Sequence, residues 1–405
     1  MLGSRLAPIG WAAAALLARA AWERFQGIPP TASELPLRLR ATLERLGPTF
    51  VKLGQAMSLR RDLLPDPYLA ALRDLQDHVG PFPPADARRE IEHGLGRSID
   101  ELFTVFEAEP MAAASIAQVH RARLSDGRAV IVKVRRPGIR AQIERDMRAL
   151  RGLGRLASAL APRIQRFQPL RLIEEIWANL RKETDFRQEA RSVRRFREAF
   201  RGWPAIHIPD VVDGLLAETV LVQEMSGGLH IGDPSIDGPR LAQVLVDAYL
   251  HQFFVVGLFH GDPHPGNLFV MPDGRFCFHD FGLVGYLDGH TRRALALFLQ
   301  AFVHQDAVWM LDAAIDLGLL GGALDRPAFV RGIGEILADY AALPLEDWSL
   351  AEAVLRVARL GSGENFVLPY NLVVLMRALF LVEGALRTLD PKFMVLDALL
   401  TRGRE

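Results

Sequence analysis

The sequence predicts an α+β protein: an N-terminal helical extension, a small β-containing unit and a larger helical unit. Three observations lead there. Apolar positions Leu43, Leu46, Phe50, Leu53 and Met57 recur at three- and four-residue steps, which marks one face of a helix over 34–60. Val105–Glu107, Ile116–Leu124 and Ala129–Arg135 read as short strands, the last two joined by a Ser125-Asp126-Gly127-Arg128 turn. From Pro239 onward the pattern is helical, interrupted only by a loop-and-strand segment at 260–286. The expected divisions are 1–100, 101–225 and 226–405.

In order along the chain, Leu64-Pro65-Asp66-Pro67 stops or redirects the first helical stretch, because proline cannot continue a helix interior. Gly80-Pro81-Phe82-Pro83-Pro84 is a second break, with a helix expected over Ala85–Leu95. Residues 138–202 read as helical and Arg-rich. Ile206–Ile208 and Thr219–Glu224 read as strands, and Val244–Phe259 as an apolar helix.

Composition narrows the functional classes. In 405 residues, 48 basic side chains balance 48 acidic ones, against the basic excess of a general nucleic-acid binder. Half the residues are hydrophobic, which excludes a disordered chain. Cys277 is the only cysteine, so disulfide scaffolds and cysteine-pair zinc sites are excluded, and a reducing, cytoplasmic setting is the simpler reading. Only four basic residues are lysine: Lys52, Lys133, Lys182 and Lys392. In so Arg-rich a chain, a retained lysine draws attention to positions needing a compact ammonium. Leu6–Ala18 is an uncharged stretch of 13 residues, shorter than the ~20 a spanning helix needs. It has the outline of a signal peptide with a poor cleavage site, and fits better a helix lying on a membrane or on the body of the protein. Leu372–Val382 is broken by Arg377 and followed by Glu383, which suggests a buried helix. Residues 181–201 carry eight basic and four acidic side chains, a solvated face or one attracted to anionic headgroups.

The chemistry concentrates in His260-Gly261-Asp262-Pro263-His264-Pro265-Gly266-Asn267, followed by a strand at Leu268–Val270 and another at Phe276–His279 that ends in Asp280-Phe281-Gly282. A β-hairpin of that length returns Asp280 beside Asn267. Phosphoryl transfer from ATP needs metal ions bridging the phosphates and a carboxylate near the attacking oxygen. Asn267 and Asp280 offer hard oxygen ligands suited to Mg²⁺, and Asp262 would orient or deprotonate the acceptor. Asp-x4-Asn followed by Asp-Phe-Gly is the kinase pattern. The competing readings are a turn-rich loop capped by its Asp and Asn, and a metal site on His260 and His264, for which Pro263 and Pro265 forbid the aligning helix. Lys133 sits in the apolar strand Ala129–Arg135, where its ammonium needs a partner unless the strand is an edge facing water. Ahead of it, where a kinase has a glycine-rich loop, stands Ala112-Ala113-Ala114-Ser115-Ile116-Ala117-Gln118. Alanines permit a near approach to phosphates but restrict φ.

With these motifs the chain resembles the UbiB/AarF family of atypical kinases over roughly residues 40–390. Lys52-Leu53-Gly54-Gln55 matches that family's K-x-G-Q, the alanine loop its replacement for the glycine loop, and Glu183-Thr184-Asp185 its E-x-D motif. The 260–267 loop matches its H-x-D-P-H-P-G-N. The resemblance implies a bilobal protein-kinase-like fold with the K-x-G-Q helix covering the active site, which leaves ATP hydrolysis or a small acceptor as the activity. It implies ATP and Mg²⁺ as cofactors, with Lys133 on the phosphates and Asp262 as the catalytic aspartate. Asn267 and Asp280 would hold magnesium, and Ala112, Ala113, Ala114, Ser115, Gln118, Glu224 and Met225 would line the nucleotide. It implies a role in ubiquinone biosynthesis, with a lipid or quinone-like molecule, pathway enzymes and a peripheral contact at the inner face of the membrane as partners. Glu183 and Glu189, six apart, fall on different faces of a helix. Glu189 is expected to pair with Lys133, Glu183 or Asp185 with Lys52, and Gln55 to point with Lys52 at one site. Ile131 departs from the small alanine expected two before the lysine and narrows the adenine pocket, and Ser192 replaces an asparagine. Rival functions are a small-molecule phosphotransferase resembling aminoglycoside or choline kinases, and a non-catalytic lipid-binding pseudokinase.

Overall fold

A computed structural model describes residues 3–29, 32–60, 63–75, 80–321, 325–341, 347–361 and 368–394. The chain is α+β and divides into two compact units, one of residues 1–190 and 211–225, the other of 191–210 and 226–405.

The first unit begins with α1 (Gly3–Phe25), α2 (Leu35–Leu46), α3 (Pro48–Ser58), α4 (Asp66–Arg73), α5 (Pro84–Leu95) and the single turn α6 (Ile99–Leu102). The one helix expected over 34–60 is thus two. Gly47 takes φ +100°, which ends α2, and Pro48 starts α3, where its missing N–H is no loss. The shared apolar stripe nevertheless forms one cluster, with Leu43, Phe50, Leu72, Leu75 and Ile9 at its centre. Strands β1 (Phe103–Phe106), β2 (Ala112–Ala113), β3 (Ala117–Leu124) and β4 (Ala129–Arg135) follow, then helices α7 (Ile139–Leu160), α8 (Pro169–Glu183) and α9 (Phe186–Ala199). After the two-residue β5 (Ile206–His207), which belongs to the second unit, β6 (Val211–Leu216) and β7 (Val220–Glu224) complete the first sheet. Its order is β1-β3-β4-β7-β6, with β2 added to β3. β6 is a strand that its Gly214 hid from the sequence pattern.

Along β4, Val130, Val132 and Val134 are buried and pack with Ile91 of α5 and Val220 and Val222 of β7. The two-residue period therefore delivers Ile131, Lys133 and Arg135 to the opposite face. β4 lies between β3 and β7, with Lys133 opposite Val119 on one side and Leu221 on the other. Lys133 is consequently an interior-strand lysine, and the edge-strand reading does not apply.

The second unit adds β8 (Leu229–His230), α10 (Gly238–Leu250), β9 (Leu258–His260), β10 (Leu268–Val270), β11 (Phe276–Phe278) and β12 (Val284–Tyr286). Among the described residues, five helices end it: α11 (Gly289–Val303), α12 (Ala307–Leu317), α13 (Arg326–Ala341), α14 (Leu350–Leu360) and α15 (Tyr370–Leu389). The apolar helix expected to reach Phe259 stops earlier. Residues His251–Val256 form a wider π turn, Gly257 takes φ +73°, and Leu258–His260 becomes a strand paired with β12. α15 contains the apolar run Leu372–Val382 as a largely buried helix. Among the described residues, no helix is long and apolar enough to cross a membrane.

Candidate active site

In the first unit the site residues gather around β4 and the ends of α8 and α9. Thr184 and Asp185 separate α8 from α9, so Glu183 and Glu189 lie on two helices and not on two faces of one. Asp185 acts at the start of α9: its Oδ1 accepts from the Arg187 backbone N–H at 3.1 Å and its carboxylate grips the Arg187 guanidinium at 2.7 and 3.0 Å. That geometry satisfies a first-turn amide and complements the positive end of the helix. Glu189 follows in the same first turn. Its two carboxylate oxygens accept from Lys133 Nζ at 2.9 and 2.8 Å, and the Phe186 ring lies 5.5 Å from that ammonium.

Lys52, on α3, places Nζ 3.5 Å from Glu183 Oε2 at the end of α8. Gln55, three residues on, donates its amide to the Leu75 carbonyl at 3.4 Å and not toward Glu183. Between them, Gly54 lets neighbouring side chains in: a Cβ there would stand 2.2 Å from Leu75 Cδ1 and 2.8 Å from Leu43 Cδ1. The K-x-G-Q segment is thereby fastened to α8 by its lysine and to the chain after α4 by its glutamine.

The alanine segment is a tight hairpin. Ala112 and Ala113 pair with Val119 and Gln118, and the Ala114 N–H donates to the Ala117 carbonyl at 2.8 Å. Arg136, just beyond β4, clamps it from below. Its side chain donates to the carbonyls of Ser115 and Ala114 at 3.2 and 3.1 Å, and its backbone N–H to that of Ile116 at 2.7 Å. Ser115 is fully buried. Gln118 is also fully buried and its amide is engaged inside the protein: the oxygen accepts from the Phe82 N–H at 3.1 Å, and the nitrogen meets His120 Nε2 at 2.9 Å. Glu224 closes β7 opposite Val130, and the Met225 N–H donates to the Ala129 carbonyl at 3.1 Å.

In the second unit His260 organises the loop. It is fully buried, and its N–H donates to Gln252 while its carbonyl accepts from the Tyr249 hydroxyl at 3.0 Å. Nδ1 accepts from the Asp262 N–H at 3.2 Å and Nε2 faces the His279 carbonyl at 2.9 Å. That pattern assigns the proton to Nε2, and burial pushes the imidazole below its ordinary range, so it is neutral. Both ring nitrogens are occupied, which removes His260 as a metal ligand. Asn267 donates Nδ2 to the Asp262 carbonyl at 3.0 Å, which turns Oδ1 the other way. The β10–β11 hairpin pairs Leu268 with Phe278, and the His279 N–H donates to the Asn267 carbonyl at 2.9 Å. The hairpin so returns Asp280 to the Asn267 end. Asp280 has φ +51°, a left-handed conformation uncommon for a residue with a side chain, and its Oδ1 accepts from the Gly282 N–H at 3.0 Å. Phe281 is buried, packed between Phe196 and His260 at ring distances of 4.9 and 5.2 Å.

One partner was not legible in the sequence. Arg377 of α15 donates Nη2 to Asp262 Oδ1 at 2.5 Å, across 115 residues. One turn earlier on α15, Val374 leaves no space beside Gly261, where a Cβ would approach Val374 Cγ1 to 2.7 Å. The arginine that interrupts the apolar run is therefore aimed at the loop, on a helix pressed against it.

The donor set near Asn267 suits magnesium. It offers one amide oxygen and one carboxylate, the hard and sparse protein contribution that Mg²⁺ takes when phosphates and water supply the rest. Among the described residues no cluster of three His, Cys, Asp or Glu has metal-holding geometry, so a dedicated all-protein cage is absent from that part.

Residues 74–313 match the ABC1 atypical kinase-like domain, and residues 333–394 match the UbiB helical domain. The chain belongs to the UbiB family of atypical kinase-like proteins. It is 34% identical over 370 residues to a probable protein kinase UbiB from Vibrio atlanticus, covering 89% of this chain and 68% of that protein. It is 35% identical over 365 residues to a probable protein kinase UbiB from Pseudomonas aeruginosa, with 88% and 68% covered. The chain thus spans about two thirds of the length of these relatives. Among solved structures, a Mycobacterium tuberculosis protein in complex with erythromycin is similar at TM-score 0.60 and 28% identity, over 84% of this chain and 88% of that one. The Asp262–Arg377 pair joins the two family segments: Asp262 lies in the kinase-like domain and Arg377 in the helical one.

Proposed function

We propose that this UbiB-type protein binds ATP with magnesium and turns it over as an ATPase or as a phosphotransferase to a small acceptor, in support of quinone-lipid biosynthesis. The observation that carries the reading is the loop built on neutral His260, which holds Asp262 and Asn267 by backbone hydrogen bonds while the β10–β11 hairpin returns Asp280. In this reading Lys133 binds phosphate oxygens, and Glu189 keeps its ammonium in position and charged. Asn267 Oδ1 and the Asp280 carboxylate hold the cation. Magnesium, when bound, neutralises charge on the phosphates. Asp262 uses its carboxylate to orient the attacking oxygen, and Arg377 fixes that carboxylate. The backbone of Ala112–Ala114 approaches the phosphates, with Arg136 holding the hairpin's shape. Glu224 and Met225 flank the base. Gln118 serves the interior, where its amide is engaged.

A protein of this reading works at the inner face of the membrane, where quinone precursors reside, with a phenolic or lipid-like acceptor. The test is release of inorganic phosphate from ATP by the purified chain, with and without anionic vesicles and soluble phenols. Erythromycin, bound by the mycobacterial neighbour, joins the probes. Magnesium-dependent turnover lost in Asp262→Asn is expected. Rapid phosphorylation of hydroxylated amines would favour a small-molecule kinase, and an intact fold without turnover would favour a pseudokinase.

A further inference from the structure

The outward face of α1 inverts the usual pattern of a surface helix, which hides its apolar stripe and shows its charges. Three of its four charged residues are spent on the body of the protein. Arg5 forms a bidentate pair with the fully buried Asp146 of α7 at 2.6 and 2.9 Å. Glu23 is buried, accepting from Ser33 and from Arg19, and Arg19 reaches on to Glu34. The positions facing away, Ala7, Trp11, Ala14, Ala18, Trp22 and Phe25, repeat at three- and four-residue steps and are all exposed. Trp11 is 79% exposed and Phe25 83%. From Trp11 to Phe25 this uncharged strip runs about 21 Å at the helical rise per residue. α7, packed along α1, also exposes Leu156 and Leu160, at 56% and 76%.

The same two helices carry unpaired basic side chains. Arg24 on α1 and Arg145 and Arg155 on α7 are exposed and have no carboxylate partner among the described residues. A contiguous apolar surface of this kind marks an interaction site. We propose that α1 lies flat in the headgroup layer of an anionic bilayer, its aromatic strip entering the acyl boundary and the unpaired arginines of α1 and α7 meeting lipid phosphates. Tryptophan is the residue type favoured at that depth, and apolar burial plus basic charge is what holds an interfacial helix. A second copy of the chain fits less well, because the carboxylates of α1 and α7, Glu23, Glu144 and Asp146, are already paired with arginines of the same chain and leave Arg24, Arg145 and Arg155 unmatched. The proposal deepens the membrane part of the reading above by naming its surface, and it stands independently of whether ATP is hydrolysed.

The test is co-sedimentation of the full chain, without nucleotide, with phosphatidylcholine vesicles and with vesicles that also contain phosphatidylglycerol. Binding to the anionic vesicles is expected, reduced about tenfold or more in Trp11→Ser/Phe25→Ser. Arg145→Glu/Arg155→Glu should abolish the preference for phosphatidylglycerol. Should the serine variant fail to fold, Trp11→Phe/Trp22→Phe replaces it: quenching of tryptophan emission by brominated lipid is expected in the parent and absent from this variant. Equal sedimentation of parent and serine variant overturns the proposal. So does a concentration-dependent dimer, without vesicle binding, that the serine variant abolishes, since that result gives the face to a second copy. Loss of ATP turnover with vesicle binding intact would refute the enzymatic reading and leave this one standing.

Discussion

Lys133 and Glu189 should be energetically coupled, and the coupling can be sized from the geometry. Both carboxylate oxygens lie within 2.9 Å of Nζ, and the side chains are only 21% and 9% exposed. Unit charges about 4 Å apart at an effective dielectric of about 20 attract by about 4 kcal/mol before desolvation is subtracted. Truncating one partner of a buried pair costs about 3–5 kcal/mol, much of it from the charge left behind. Lys133 retains a fifth of its exposure, so the lower end applies. Lys133→Met and Glu189→Leu should each destabilise by about 3 kcal/mol, and the double variant by clearly less than their sum. A coupling near 2 kcal/mol is expected. The assay is equilibrium urea unfolding of all four proteins, compared through midpoints at constant slope. Strict additivity within about 0.5 kcal/mol would refute the reasoning, since it would mean that the two groups do not sense each other in solution.

Other consequences follow from the same structure. Arg377→Met removes the grip on Asp262 without touching Asn267 or Asp280. Turnover should fall about tenfold or more while nucleotide affinity holds, as expected when a reacting group loses its orientation. An equal loss of affinity, read by calorimetry, would contradict that division. Glu383 of α15 is buried, accepts from Ser349 Oγ at 2.5 Å and from the Ala351 N–H at 3.0 Å, and burial raises its carboxyl above the ordinary 4.5. A raised folded-state value means that the stabilisation is complete below about pH 4.5 and lost as pH climbs through the folded value. Glu383→Gln should therefore melt close to the parent at pH 4.5 and above it at pH 8. A melting-temperature difference that is the same at both pH values would count against this assignment.

Much of the architecture could be read from residue patterns because it depends on local period and turn chemistry. The β3–β4 hairpin shows itself in alternation around Ser125–Arg128, and the alternation in turn puts Lys133 on the face opposite the valines. What failed locally failed where one glycine outweighed a long apolar run. Gly47 with Pro48 split an apparent helix, and Gly257 turned the end of another into a strand. Thr184 and Asp185 likewise separated the two glutamates onto different helices, which a spacing of six cannot reveal. The site is different in kind. Its kinase-like motifs are short-range and legible, whereas Arg377 reaches Asp262 from 115 residues away. Nothing in an apolar run says whether its single arginine faces water or a carboxylate. Arg136 was hidden for a related reason: its partners are backbone carbonyls, which leave no trace in the sequence.

In the proposed reading, Asp280 and Asn267 hold a divalent cation on a bound nucleotide. Isothermal titration of ATP into the full chain, with magnesium and with chelator, tests it most directly. Binding that needs magnesium and is weakened at least about tenfold, or about 1.4 kcal/mol, in Asp280→Asn is the predicted result. Binding of equal strength in chelator, or unchanged by Asp280→Asn, would contradict it.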